Sequence, residues 1–207
     1  MTKSVPTEQI ARLRITLEGI EPAIWRQVEV PLTATLEALH DVIQAVFGWE
    51  GYHLHLFEVG KECYGVPDPE WNSIELIRSE KALRLATLIG RGIERFGYTY
   101  DFGDDWRLEV VVEDVEAADP AAAYPRFLSG VRRAPPEDVG GVPGYEEFVR
   151  AMTWPRGREH QAMLTWHGGH YDPDVLSGAE IVAALGKLAR RRTLGRAAHI
   201  KTVGRVN

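Results

Sequence analysis

An α+β fold, with a mixed or antiparallel sheet of hairpins and helices packed over a face, follows from three features of the 207-residue chain. Short runs near the start alternate apolar and polar residues, the period of strands with one wet face. The last third repeats its apolar residues at helical spacing. Proline- and glycine-rich corners separate these stretches, and strands first with helices last is the order of α+β domains.

The first strand is read from Ala11, Leu13, Ile15 and Leu17 alternating with Arg12, Arg14, Thr16 and Glu18. A turn at Gly19-Ile20-Glu21-Pro22 returns the chain into a second strand, Ile24 to Val30, so the two form an antiparallel hairpin. Leu36, Leu39, Ile43, Val46 and Phe47 then follow helical spacing behind Thr33 and Thr35, either of which can cap a first turn, and Gly48 stops the helix. Tyr52 to Val59 reads as a strand with His53, His55, Phe57 and Val59 on one face. From Cys63 to Leu88 the periodicity weakens, leaving a loop at Gly65, Pro67 and Pro69, a short strand over Ser73 to Ile77 and irregular chain beyond.

The clearest hairpin comes next. Phe96, Tyr98, Tyr100 and Phe102 alternate before the corner Gly103-Asp104-Asp105, and Trp106, Leu108, Val110 and Val112 alternate after it. Asp119-Pro120 and Tyr124-Pro125 mark a crossing, and residues 133–141, APPEDVGG preceded by arginine, form a loop no helix or central strand accommodates. Helices are expected over Tyr145–Met152, Arg158–Trp166 and Ser177–Arg192.

With 44% hydrophobic and 26% charged residues the chain has the composition of a folded globular domain, which excludes disordered and fibrous classes. Neither a signal-peptide core nor a membrane-length apolar run is present, so the expected location is cytoplasmic and no membrane partner is expected. Cys63 is the single cysteine, which rules out an internal disulfide or a thiolate zinc cage within one chain. The net charge of −6 conceals an uneven distribution, since Lys187, Arg190, Arg191, Arg192, Arg196, Lys201 and Arg205 fall in a stretch without acids. Such a run either stays solvated, the commoner outcome, or contacts phosphates. The expected division is therefore a domain over 8–180 and a basic helix end and tail over 181–207.

Tyr98 to Trp106 places Asp101, Asp104 and Asp105 among four aromatic rings with one glycine. Three carboxylates across a tight turn are suited to a hard cation. They are equally suited to accepting amide hydrogen bonds within the bend, with Gly103 supplying a positive φ, and this structural reading is preferred. His53 and His55, two apart on one strand face, can share a metal if Asp101 or His40 supplies a third ligand, but histidines bonded beneath a helix are commoner. Asp-Phe-Gly here lacks every other kinase element, Gly90-Arg91-Gly92 lacks a third glycine, and there is no Gly-x-Ser-x-Gly elbow. The stretch around His167, His170, Asp172 and Asp174 reads as a helix-connecting loop, and most tryptophans as core.

Five motifs, IEPAIWRQVEVP, LHDVIQAVFGW, HLHLFEVG, YTYDFGDDWRLEVVVE and APPEDVGGVPGYEEF, occur in this order between Ile10 and Leu176. Together they resemble the Ri-plasmid Orf-three-like family, whose members occur on plasmids and as passengers of insertion elements, some labelled resolvases. The resemblance implies a bacterial, mobile-element-associated α+β protein. It places Trp25, Arg26, His40, Trp49, His53, His55, Asp101, Gly103, Asp104, Trp106, Pro135, Pro136, Glu137, Asp138, Gly140 and Gly141 at the family's motif positions. Relatives often carry cysteines around the Pro-Pro-Glu-Asp loop and a histidine after the hairpin tryptophan; here Val139 and Leu108 stand there, so sites dependent on those residues do not carry over. The chemistry of serine or tyrosine recombinases finds no matching nucleophile arrangement.

The expected function is therefore an accessory, non-enzymatic binding module for DNA or a protein partner. Its candidate surface is Trp25, Arg26, His40, His53, His55, Tyr100, Asp101, Gly103, Asp104, Trp106, Pro136, Glu137, Asp138, Gly140 and Gly141, and Lys187, Arg190, Arg191, Arg192 and Arg196 are candidate phosphate contacts. No metal or cofactor is assigned. The alternative is a metal-dependent hydrolase or nuclease built on Asp101, Asp104, His53, His55 and Glu137.

Overall fold

The structure, a computed structural model, describes residues 8–67 and 77–203, of which 196–203 are described as helix backbone alone. Eight strands, β1 (Gln9–Leu17), β2 (Ile24–Pro31), β3 (His55–Val59), β4 (Glu62–Gly65), β5 (Ile77–Ser79), β6 (Arg95–Tyr100), β7 (Trp106–Ala117) and β8 (Arg126–Val131), form one sheet in the order β5-β4-β3-β6-β7-β1-β2-β8. Every pairing is antiparallel except β4 with β5, which makes the sheet mixed. Five helices accompany it: α1 (Leu36–Phe47), α2 (Leu85–Gly90), α3 (Gly141–Thr153), α4 (His160–His167) and α5 (Gly178–Val203). The expected α+β class is the observed one.

Alternation fixes which face of the sheet is buried. Ala11, Leu13, Ile15 and Leu17 on β1, Ile24 and Val28 on β2, Tyr98 and Tyr100 on β6 and Trp106, Leu108 and Val110 on β7 all point into one core with α1. At about 25 cal/mol for each Å² of apolar surface removed from water, this continuous layer dominates the fold's stability. The opposite face is polar: Arg14 lies 3.9 Å over the Trp25 ring, and Glu29 is bonded by Arg12 at 3.0 Å and by Arg126. α1 is capped as its sequence dictates, with Thr35 accepting from the Ala38 amide at 3.2 Å and Gly48 at φ 75°.

Several expectations are corrected. β3 begins at His55, so residues 52–54 are loop and His53 does not share a strand face with His55. The weakly patterned stretch holds β4, β5, a 3-10 turn (Glu80–Ala82) and α2, and the expected strand over 73–77 falls mostly on residues outside the described ones. The crossing after Pro120 leads into β8, an edge strand whose pairing with β2 slips by one residue after Gln27, which breaks the alternation that would reveal it. Only Trp49 and Trp106 of the described tryptophans are buried, and Trp154 and Trp166 are exposed. The basic stretch continues as α5, with Ile181, Leu185 and Ala189 buried, so a core-facing stripe runs through it.

Arg26 locks the sheet to its loops. Its guanidinium is 1% exposed and donates to the carbonyls of Trp25, Val46, Val131 and Arg132 at 2.7–2.9 Å. Val46 lies in the last turn of α1, whose carbonyls have no partner within the helix. Burial lowers the Arg26 pKa to about 10, still charged at neutral pH.

Candidate functional site

Three segments meet beyond the ends of β6 and β7: residues 49–54 after α1, the hairpin tip 101–105, and the loop 133–140 before α3. Trp49 holds them together. Its ring stacks on Tyr100 at 5.1 Å and lies 6.2 Å from Trp106, and its Nε1 donates to the Pro135 carbonyl at 3.0 Å. The tip and the loop also interlock through backbone, because the Asp104 carboxylate accepts from the Gly140 amide at 3.0 Å. A Cβ on Gly141, whose φ is +66°, would sit far inside contact distance of the Asp104 carbonyl oxygen. Only glycine meets both conditions without strain.

This convergence assembles one imidazole and three carboxylates. His53 Nε2 lies 3.0 Å from Asp138 Oδ1, 3.4 Å from Asp101 Oδ2 and 4.0 Å from Glu137 Oε2. Ligand atoms of His53, Asp101 and Asp138 fall within 4.8 Å of one another. Among the described residues no lysine or arginine forms an ion pair with these acids. Asp101 and Asp138 adopt φ of 55° and 56°, a left-handed conformation that aspartate tolerates but seldom takes without a constraint.

The remaining oxygens orient the cluster. Asp101 Oδ1 accepts from the Gly103 amide at 2.9 Å, and Asp138 Oδ2 accepts from the Tyr52 hydroxyl at 2.6 Å. Glu137 Oε1 accepts from the Glu50 amide at 2.7 Å and the Tyr100 hydroxyl at 2.9 Å, whereas Glu137 Oε2 is buried and has no hydrogen-bond partner among the described residues. Burial pushes the Glu137 carboxyl above its usual range, only partly opposed by those bonds and by His53. The Tyr52 hydroxyl bond outweighs desolvation and holds Asp138 below its own. Burial and the Glu137 bond raise the Tyr100 hydroxyl well beyond neutrality, so it stays a donor.

The two readings of the hairpin tip are thus distributed over different atoms. Asp101 turns the chain with one oxygen and faces His53 with the other. Asp104 serves the backbone of the neighbouring loop, and Asp105 pairs with Arg107 at 2.9 Å. The positive φ expected of Gly103 belongs instead to Asp101 and Asp105; at Gly103 a Cβ would make a tight contact, 3.2 Å from Asp101 Oδ1. His55 is not in the cluster, since its Nε2 bonds to Glu80 at 2.7 Å and its ring stacks on His40 at 3.7 Å beneath α1. His40 in turn bonds to the buried Tyr98 hydroxyl at 2.7 Å, and burial with His55 nearby lowers its pKa to about 4.

Trp106 and Arg26 are core and anchor, Trp25 lies on the polar face of the sheet, and Pro136, Gly140 and Gly141 shape the loop. Tyr52, Glu50 and Glu80 are partners that sequence reading did not assign; each is remote in sequence from the group it bonds, and no local spacing marks them. On α5, Lys187, Arg190 and Arg191 are exposed and Arg192 pairs with Glu8, while the Arg196 side chain lies outside the described residues. Arg191 and Arg192 border a mainly apolar groove of about 780 Å³ with Val30, Pro31 and Leu188.

Residues 9–180 match the model of the plasmid pRiA4b ORF-3-like protein family. The chain belongs to that family. Among ORF-3-like relatives it is similar to the "Uncharacterized protein y4hQ" of Sinorhizobium fredii, 35% identical over 183 residues, covering 88% of this chain and 93% of the relative. It is also similar to the crystal structure of a protein of unknown function, MM3350, from Methanosarcina mazei Go1, with a TM-score of 0.76 and 34% identity over 84% of this chain and 98% of that one. Both likenesses span most of the ORF-3-like region. Among the described residues no helix is long and apolar enough to cross a membrane.

Proposed function

We propose that this ORF-3-like protein binds a divalent cation through His53 Nε2, Asp101 Oδ2 and Asp138 Oδ1, with Glu137 Oε2 as a fourth ligand, and that the ion is its working group. One observation carries the reading: three carboxylates with no lysine or arginine partner among the described residues converge on a single imidazole, and one of their buried oxygens is unsatisfied there. Uncompensated buried charge is costly, and a cation repays it. One nitrogen with carboxylate oxygens suits zinc or manganese better than calcium, which prefers an all-oxygen shell. An ion there supplies Lewis acidity toward a phosphoryl or acyl oxygen, the chemistry of metal-dependent hydrolases and nucleases.

Calorimetric titration of EDTA-treated protein with Zn²⁺, Mn²⁺ and Mg²⁺ tests this. Saturable heat with one of the first two, lost in His53→Ala and Asp138→Asn, is expected; absence of heat with all three removes the reading. A second, non-enzymatic reading, phosphate contact by α5, is favoured by the exposed Lys187, Arg190 and Arg191. It requires duplex DNA binding whose salt dependence weakens when those residues are changed to glutamine.

A further inference from the structure

A cleft of about 440 Å³, which shares Glu137 with the acidic cluster at its margin, opens between the end of α1, the loop 133–137 and the corner joining α4 to α5. Its volume lies in the range of small-molecule sites. Arg133 lines it, and the guanidinium carbon sits 5.0 Å over the Tyr171 ring. No carboxylate among the described residues pairs with Arg133, whereas eight other arginines have one. Arg26 lines the same cleft, and its positive charge is met only by carbonyl dipoles and rings.

Two guanidinium groups without counter-ions therefore border one concavity. Burial keeps Tyr145 and Tyr171, beside them, neutral, and the 2.9 Å hydrogen bond between their hydroxyls adds to this at Tyr171 and opposes it at Tyr145 without overcoming burial, so they supply no balancing anion. The acids on the cleft are Glu50 and Glu180, both exposed, and Glu137, whose Oε1 is held by Tyr100 and the Glu50 amide and whose Oε2 is directed to His53 at 4.0 Å. Trp166 is 49% exposed and also lines the cleft, offering an indole surface that a planar ligand can cover. In the larger groove bordered by α5, Arg192 pairs with Glu8, Arg84 donates to the Thr33 carbonyl, and the exposed Arg191 shares the lining with Asp41, whose charge it partly balances.

We infer that this cleft binds a small aromatic or heteroaromatic anion, its phosphate or carboxylate group held by Arg133 and its ring lying against Trp166. A planar guanidinium matches either oxyanion bidentately. The inference does not depend on a cation at His53, and its test is made without one.

EDTA-treated protein is titrated at low salt with phenyl phosphate, benzoate and inorganic phosphate, followed by calorimetry and tryptophan fluorescence. Saturable binding of phenyl phosphate or benzoate is expected, and whichever binds more tightly identifies the oxyanion. Arg133→Gln is expected to weaken it at least about tenfold and Arg133→Lys less, as loss of one charge-assisted bidentate contact implies. Trp166→Phe should remove most of the fluorescence change. Wild-type protein that binds neither aromatic anion at millimolar concentration overturns the inference, as does folded Arg133→Gln that binds as tightly as wild type. If Arg133→Gln melts before assay, the Trp166→Phe result decides, and an unaltered fluorescence response there counts against the cleft. Loss of cation binding in His53→Ala leaves this titration unchanged, so the two proposals fail separately.

Discussion

Glu29 and Glu137 are both carboxylates held out of bulk water by the same sheet, and their surroundings are opposite. Glu29 is 1% exposed, yet Arg12 and Arg126 reach over it from β1 and β8 and neutralise it. Glu137 lies among Asp101, Asp138 and a single imidazole, with no arginine or lysine among the described residues paired to the group. Burial raises both carboxyls in principle; at Glu29 the hydrogen bonds from Arg126 and Arg12 outweigh it and the pKa falls, while at Glu137 burial prevails. The chain completes one charge balance with its own side chains and leaves the other open, which is how a structural ion network differs from a ligand site.

The harshest way to break the contrast is to separate the tip from the loop. Gly141→Val places a branched side chain against the Asp104 carbonyl at a positive φ, and a loss of about 3–5 kcal/mol in denaturant unfolding is expected, with cation heat abolished. Glu29→Gln strips two arginines of their shared anion and should cost about 2 kcal/mol, with cation binding intact. Glu137→Gln keeps the bonds to the Glu50 amide and Tyr100 but removes an unbalanced charge; its stability should change by less than about 1 kcal/mol while cation affinity falls. Were Glu137→Gln as damaging as Glu29→Gln, the two carboxylates would not differ in kind.

Acid titration sharpens the same comparison. The folded pKa of Glu29 is depressed, so its stabilising contribution is present above 4.5 and lost as the pH falls through that lower value. The folded pKa of Glu137 is raised, so its ionisation disfavours the fold, and the penalty is relieved as the pH falls through a value above 4.5. Thermal melts across this range should show a flatter acid limb for Glu29→Gln and, for Glu137→Gln, a steeper loss of stability as the pH is lowered toward 4.5, because the relief on protonation is gone. The smallest effect is expected on α5: Lys187→Gln with Arg190→Gln lies on an exposed face and should shift stability by less than about 0.5 kcal/mol.

The hairpins, α1 with its threonine cap and glycine stop, and the proline-rich loop are legible from the sequence because each depends on neighbours within a few residues. β8 and α2 are not legible in that way. The first is an edge strand with a slipped register, and the second spans only six residues. At the site, His53, Asp101, Glu137 and Asp138 are individually visible at motif positions, but His55 is equally visible and the fold sends it to Glu80 instead. Residue type and spacing do not distinguish two histidines whose partners lie 25 and 85 residues away.

Alternation, caps and turn residues by themselves determined an α+β chain with hairpins and an acidic tip, since those signals arise from local sterics and backbone hydrogen bonding. Tertiary structure alone decided that Asp104 and Asp105 serve the backbone and an arginine while Asp101 joins Asp138, because loops more than thirty residues apart are brought together only when the shared aromatic stack of Trp49 and Tyr100 is buried. Charge balance between such loops is a property of the assembled volume, and no stretch of sequence contains it.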